Sequence, residues 1–164
     1  SQLEDIRLIN LDYRSRSSAG LARILAKNVW KKEFIWRDTT SGSDLIDLPD
    51  DEALVLIGDM CFEYEKLFSL RIDLAEEWFN HTGLPFAFAC WTSNRKLDDG
   101  FVEEFNEALK TGVDNIKDVV EMFGRNSAIK KDELLTYLTR NMDYYLNDDK
   151  REAISLFLEM LSRV

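Results

Sequence analysis

The sequence has few of the side chains that build metal sites. Its 164 residues include one histidine, His81, and two cysteines, Cys61 and Cys90. One histidine and two separated cysteines cannot make a zinc site of ordinary spacing, and we therefore expect no metal. Each cysteine lies inside an apolar run, which predicts two buried, reduced thiols of the kind found in cytoplasmic proteins.

Long hydrophobic runs are also missing. No apolar stretch of the sequence approaches the roughly 20 residues that a membrane span needs. The first residues, Ser1–Asp5, have neither the basic flank nor the apolar block of a signal peptide. We therefore expect a soluble protein that stays in the cytoplasm and has no membrane partner.

Positive charge is scarce overall. Lys and Arg number 21 against 31 Asp and Glu, a formal charge of −10, and this balance argues against a nucleic-acid partner. Residues 1–37 are the exception, with 8 basic and 4 acidic side chains. With 45% hydrophobic and 32% charged residues, the chain has the composition of a folded domain and not of a disordered one.

The first half of the chain alternates between strand and helix patterns. A helical spacing of apolar residues runs from Leu21 to Val29, and a second helix is predicted from Asp73 until Gly83 and Pro85 end it. Four short apolar runs are predicted as strands, the last two of them fully buried: Ile6–Leu11, Phe34–Trp36, Ala53–Gly58 and Phe86–Trp91.

From Asp98 onward the pattern is helical throughout, and Gly112 and Gly124 are predicted to separate neighbouring helices. Apolar residues recur at helical spacing in four segments, Phe101–Lys110, Val113–Phe123, Asp132–Met142 and Asp148–Leu161. A mixed α/β section followed by helices predicts two structural parts, joined near residues 92–100. The helical part is expected to pack against another layer of the protein.

The turn Ser15–Ala19, between a predicted strand and a predicted helix, is the first candidate site. The free N–H groups of a first helical turn bind anions, and Arg16 would add a charge-assisted bond to a carboxylate. The alternative is structural, with Ser17 or Ser18 serving only as the N-cap of the helix.

Two further candidates lie between the predicted strands. Asp59 follows the buried run ending at Gly58, where α/β sheets collect ligands, and its carboxylate is placed either for acid–base chemistry or for capping the next turn. The segment Thr82–Phe86 ends a helix and enters a strand, which local chemistry explains without a ligand. His81 beside it is either a general base or a solvated residue at the helix end.

Three segments in this order closely resemble the chorismate dehydratase family of the futalosine route to menaquinone. They are Ser15-Arg16-Ser17-Ser18, Leu56-Ile57-Gly58-Asp59, and the stretch from Asp73 through Trp78 to Thr82-Gly83-Leu84-Pro85-Phe86-Ala87-Phe88-Ala89-Cys90-Trp91. Weaker support comes from Tyr137–Phe157, which is similar to the family's closing helices. Cys61-Phe62 departs from the small residues that relatives carry after the Gly-Asp pair.

The resemblance implies a fold class, α/β of the type II periplasmic-binding-protein kind, with two lobes around a ligand cleft. Residues 1–95 would form most of the second lobe, and residues 96–164 a C-terminal helical section packing on the remainder of the first. The family's opening portion has no counterpart in the sequence. An upstream segment or another chain, such as a second copy in a homodimer, would then supply it, or the chain is a truncated relative that cannot complete the chemistry.

The resemblance also implies a reaction. Such an enzyme is a lyase that removes water from chorismate, a small dianionic carboxylate, to give 3-[(1-carboxyvinyl)oxy]benzoate, and it needs no cofactor. Asp59 would be the catalytic residue, orienting the substrate or assisting loss of its hydroxyl. The substrate-binding residues would be Arg16, Ser17, Ser18, Gly58, Gly83 and Phe86.

Two other functions stay open at this point. One is a non-catalytic module that binds a small carboxylate in the same cleft. The other is an interaction protein whose apolar surfaces, left bare by the absent lobe, pack on another copy of the chain.

Overall fold

The computed structural model describes residues 2–39, 48–123 and 129–164, and within them the chain is mixed α/β. The three strands are β1 Leu8–Leu11, β2 Ile35–Asp38 and β3 Glu52–Leu54. The α-helices of the described residues are α1 Arg16–Asn28, α2 Asp59–Tyr64, α3 Leu74–Thr82, α4 Asp99–Asp114, α5 Ile116–Phe123, α6 Lys131–Thr136 and α7 Asp148–Leu161. Short 3₁₀ turns cover Leu3–Asp5 and Glu65–Leu67, and a π-helical turn covers Tyr137–Asn141.

The sheet is parallel, with strand order β2-β1-β3. In the central strand, Leu8 is aligned with Ile35 on one side and with Glu52 on the other. All four residues of β1 are buried, as expected for a strand that has neighbours at both edges. The carboxyl end of β1 therefore lies in the middle of the sheet edge, where parallel sheets place their ligands.

Helix α1 is covered on two sides. Ala22 and Ala26 belong to the apolar cluster that includes Ile9 and Leu11 of β1. The opposite face of α1 contributes to a second cluster, which contains Leu21, Ile24, Leu25 and Trp78 and is joined by Leu156, Phe157, Met160 and Leu161 of α7. Gly20 allows α7 to approach closely, because a Cβ there would lie 2.8 Å from a Leu161 methyl carbon.

The contacts divide the chain into two compact units. One comprises Ser1–Ala89 with Leu146–Val164, and the other Cys90–Tyr145. The final helix, α7, therefore packs with the α/β section, on α1. The second unit contains α4, α5 and α6, where Val120 and Ile129 are buried. The division predicted at residue 95 concerns the lobes of a binding-protein fold, and it stays a prediction.

Several sequence-based predictions are confirmed. A strand lies within Ile6–Leu11, and α7 has the predicted bounds. Asp73 caps α3 by accepting hydrogen bonds from the backbone N–H groups of Ala75 and Glu76. Gly83 ends that helix in the left-handed region, with φ of 74°. The prediction that Gly112 separates two helices is wrong, since Gly112 lies inside α4. Gly124, the other predicted break, lies outside the described residues.

The two strands predicted to be fully buried are corrected. The strand predicted at Ala53–Gly58 is Glu52–Leu54 and is only half-buried, because it lies at an edge of the sheet with β1 as its one neighbour in the described residues. No strand forms at Phe86–Trp91, where Phe88, Cys90 and Trp91 are exposed. Cys61 is partly exposed, so neither thiol is buried as predicted.

Candidate functional site

The carboxyl end of β1 carries an ion pair between a buried carboxylate and an exposed guanidinium. Asp12 follows the strand directly and is 6% exposed. Arg14 Nε donates to Asp12 Oδ1 at 2.9 Å, and Arg14 Nη2 donates to Oδ2 at 2.5 Å, so the two groups meet in a bidentate pair. The backbone N–H of Arg14 donates to the same carboxylate at 3.0 Å. The Asp12 carboxylate therefore fixes both the turn and the guanidinium.

The same contacts set the protonation of Asp12. Hydrogen bonds from the Arg14 side chain lower the pKa of Asp12 below its ordinary value of 3.8, against the opposing effect of burial. The carboxylate in turn raises the pKa of Arg14. Both groups are therefore charged at neutral pH, and the guanidinium is held in one orientation.

The first turn of α1 comes next along the chain, and its cap corrects the sequence prediction. Ser15, not Ser17 or Ser18, is the N-cap, and its hydroxyl oxygen accepts from Ser18 N–H at 3.1 Å. The Ser15 hydroxyl also donates to the Ser18 hydroxyl at 2.7 Å. Ser18 is 4% exposed, so this predicted ligand-binding residue lies inside the fold.

Ser17 and Arg16 are the accessible members of this turn. The Ser17 hydroxyl donates to the carbonyl oxygen of Phe88 at 2.9 Å, although 71 residues separate them in the sequence. The Arg16 side chain is exposed. The N–H groups of the first helical turn have no partner within the helix, so this end of α1 offers donors to an anion.

Helix α2 lies beside Arg14. Gly58, with φ of 63°, adopts the left-handed conformation just before the helix, and Asp59 is the exposed first residue of α2. The next residue, Met60, places its Sδ 2.8 Å from Arg14 Nη2. The start of α2 and the turn before α1, far apart in the sequence, are therefore neighbours in space.

Phe86 is connected to the first turn of α1 through Phe88, which contacts both Phe86 and Ser17. Its ring packs edge-to-face with Trp78 and Phe157, at centroid distances of 5.4 and 5.1 Å, and with Phe88 at 4.7 Å. The Phe88 carbonyl is the group that accepts from Ser17. The indole nitrogen of Trp78 is buried and has no hydrogen-bond partner among the described residues.

The remaining predicted site residues are less closely tied to the site. Gly83 is exposed at the end of α3, and an added Cβ there would have no neighbour within 4 Å. His81 is exposed in the last turn of the same helix. The contacts that join the site are therefore those of Arg14 with Met60 and of Ser17 with Phe88.

Sequence reasoning missed Asp12, Arg14 and Met60. A signal for Asp12 is present, since it directly follows a predicted strand, as Asp59 was also expected to do. The Arg14–Asp12 pair lies in the turn between β1 and α1, so neither helical nor strand periodicity marks it. Its bidentate geometry depends on the tight turn between β1 and α1.

Two absences apply to the residues that the structure describes. They contain no cluster of three or more His, Cys, Asp or Glu side chains that could hold a metal ion. They also contain no helix that is both long and apolar enough to cross a membrane.

Comparison with known proteins places the chain in a family. A family model described as menaquinone biosynthesis matches residues 1–163. A chorismate dehydratase from Thermus thermophilus is 32% identical over 91 residues, which cover 54% of this chain and 33% of that protein. The aligned part is thus about a third of the relative's length. Because the family model covers nearly the whole sequence, the chain belongs to the menaquinone biosynthesis family.

Proposed function

We propose that this chain takes part, as a cytoplasmic lyase of the futalosine route, in the dehydration of chorismate to 3-[(1-carboxyvinyl)oxy]benzoate. The observation that carries the proposal is the family match over residues 1–163 together with the relative named chorismate dehydratase. In this reaction the ring hydroxyl and one ring proton leave as water, and the ring gains its third double bond.

The fold that goes with this activity is a two-lobed binding-protein fold with a cleft. We propose that residues 1–95 form most of its second lobe and that residues 96–164 pack on the remainder of the first. The parallel sheet, with its central strand ending at Asp12, supports this assignment. Residues of the first lobe would come from an upstream segment or from a second copy of the chain.

The first turn of α1 is the proposed site for a substrate carboxylate. Its free N–H groups and the exposed Arg16 side chain are donors that suit an anion. The Ser17 hydroxyl donates to the Phe88 carbonyl, and in the proposed complex this proton turns to the ligand. Ser18 supports the turn, because its N–H and hydroxyl are engaged with Ser15. The charge of Arg14, beside this turn, is paired with the Asp12 carboxylate, so the exposed Arg16 is the cation that favours an anionic substrate over a neutral one.

Asp59 is the proposed catalytic residue. Its carboxylate is exposed at the start of α2, next to the Met60 side chain that contacts Arg14. In the proposed role Asp59 orients the substrate or assists departure of its hydroxyl. The ring proton passes either to this carboxylate or to the substrate's own carboxylate. Gly58 allows the backbone to adopt a φ of 63° at this point, a conformation in which a residue with a Cβ would be strained.

Phe86 and Gly83 complete the proposed binding residues. Phe86 is half-buried in an aromatic cluster, and its edge-to-face contact with Phe88 leads toward Ser17. An aromatic wall suits the flat ring that the reaction produces. Gly83 would act through the turn that delivers Phe86, because its left-handed conformation ends α3 three residues earlier.

A binding module without turnover is the second candidate. The free N–H groups at the first turn of α1 and the exposed Arg16 side chain would hold a carboxylate whether or not a reaction follows.

Incubation with chorismate, followed by chromatography for the aromatic enolpyruvyl ether, separates the two candidates. The chain is assayed alone and together with the part of the Thermus thermophilus relative outside the aligned region, with that part alone as the blank. Product in either preparation supports the enzyme. Thermal stabilisation by chorismate without product supports the binding module, and neither product nor stabilisation contradicts both.

A further inference from the structure

A cavity of about 500 Å³ lies at the C-terminal half of α1, away from the proposed substrate site. Ser17 and Lys27 are ten residues apart on the same helix, so about 15 Å of helix axis separates the two regions. The cavity is lined by Arg23, Ala26, Lys27, Lys31, Lys32, Glu33 and Val164. Four of these side chains are basic and one is acidic, on a chain whose formal charge is −10.

Three of the basic groups are held by neutral partners, and Glu33 is the one acidic side chain of the lining, so the cavity keeps a net positive charge. Arg23 stacks on the Trp36 ring, with 4.8 Å from its guanidinium carbon to the ring centroid. Lys27 Nζ donates to the carbonyl oxygen of Arg163 at 2.5 Å, and Lys32 Nζ donates to that of Leu3 at 2.9 Å. These contacts fix where the cations lie and leave a concentration of positive charge.

Lys31 is the most informative residue of the set. Its φ of 52° is the one left-handed conformation of a non-glycine residue among those described. Such a backbone costs free energy that glycine, the usual left-handed residue after a helix, would avoid. The Lys31 side chain is exposed and lines the cavity, so this residue contributes a positive charge to the cavity.

The end of α1 accounts for the Lys31 backbone, since the Lys32 N–H donates to the carbonyl oxygen of Ala26 at 3.0 Å, but it does not account for four cations around one cavity. Cations near a helix C-terminus offset its dipole, and Lys27 alone lies in the last turn of α1. Arg23 lies one turn earlier, and Lys31 and Lys32 lie beyond the helix. We propose that this cavity is a binding site for a small multivalent oxyanion, a ligand bearing phosphate or carboxylate groups.

The test measures anion binding to the whole chain by titration calorimetry and thermal denaturation, with inorganic pyrophosphate and citrate as probes and chloride at matched ionic strength as the blank. We expect saturable 1:1 binding and a higher melting temperature with at least one probe. Lys31→Gly should weaken that binding about five- to tenfold, because one charged contact is lost, without lowering the melting temperature of the free chain.

The matched control is Lys96→Gly, which removes one exposed lysine from a loop remote in sequence from the cavity. Lys96→Gly should bind the probe as the wild type does, and Lys31→Arg should retain most of the affinity. Vesicles of anionic phosphatidylglycerol test a lipid headgroup as the source of the anion. The proposal is overturned if neither probe binds saturably, if only the vesicles bind, or if Lys31→Gly and Lys96→Gly bind the probe equally.

Discussion

Among the single residues, the Asp12–Arg14 pair has the clearest energetic consequence. The carboxylate is buried and accepts from both the side chain and the backbone N–H of Arg14. Its pKa is lowered in the folded chain, so the pair stabilises the fold at any pH above the ordinary carboxyl value of 3.8. This stabilisation is lost as the pH falls through the lowered pKa.

We predict that Asp12→Asn reduces the free energy of unfolding by about 1.5–3 kcal/mol at pH 7, since hydrogen bonds to a charged group are removed. Urea denaturation of wild type and variant from pH 7 downward measures the difference. The difference should stay constant down to about pH 4 and shrink below it. A difference that grows toward acid pH would contradict the assignment.

The serines before and within α1 separate capping from binding. Ser15→Ala should reduce stability by about 1 kcal/mol, because Ser15 is the N-cap. Ser17→Ala removes an exposed hydroxyl bonded to the Phe88 carbonyl, so its effect on stability should be smaller, while affinity for chorismate should fall. Thermal denaturation and calorimetric titration of both variants decide the matter, and a larger loss of stability in Ser17→Ala would reverse the two roles.

Among the helices and strands, the packing of α7 on α1 depends on Gly20. A Cβ at this position would lie 2.8 Å from Leu161 Cδ1 and 3.3 Å from Phe157 Cζ. We predict that Gly20→Val lowers the free energy of unfolding by about 1–3 kcal/mol, as overpacking does. The measurement is urea denaturation.

Gly112→Val is the matched control for that substitution. Gly112 also lies inside a helix, α4, but an added Cβ there would meet no atom within 4 Å. Valine has the better helix propensity, so this variant should be neutral or more stable by a few tenths of a kcal/mol. Equal effects of the two substitutions would show that α7 does not need the small residue in α1.

The helices and strands also show what sequence patterns can predict. The bounds of α7 follow from the sequence, because an apolar stripe at helical spacing coincides with an acidic first turn and with Asn147 before it as the cap. The run Phe86–Trp91 predicts a strand that does not form, because an apolar run does not reveal whether a neighbouring strand exists to pair with it. Here Phe86 is satisfied by ring contacts with Trp78 and Phe157 instead of by a sheet.

The same limit applies to the candidate site. Capping of α3 by Asp73 and its end at Gly83 follow from local chemistry and could be predicted. The contacts of Arg14 with Met60 and of Ser17 with Phe88 span 46 and 71 residues, and no local pattern encodes them. The resemblance indicated the candidate site residues, while the structure identified Ser15 as the cap and Asp12 as the buried carboxylate.

In the molecule as a whole, the two compact units contribute differently to the proposed function. The unit that comprises Ser1–Ala89 with Leu146–Val164 contains the sheet, α1, Asp59 and the basic cavity. The unit Cys90–Tyr145 contains α4, α5 and α6 and supplies none of the proposed site residues.

The proposed function rests on Asp59 working beside an anion-binding helix end to dehydrate chorismate. The rate of product formation by Asp59→Asn, in whichever preparation converts chorismate, tests this role. Glu63→Gln is the matched control, since it removes another exposed carboxylate one turn further along α2. We predict that Asp59→Asn lowers the rate about 100-fold or more at an unchanged melting temperature, and that Glu63→Gln keeps the wild-type rate. A wild-type rate in Asp59→Asn would show that this carboxylate takes no part in the reaction.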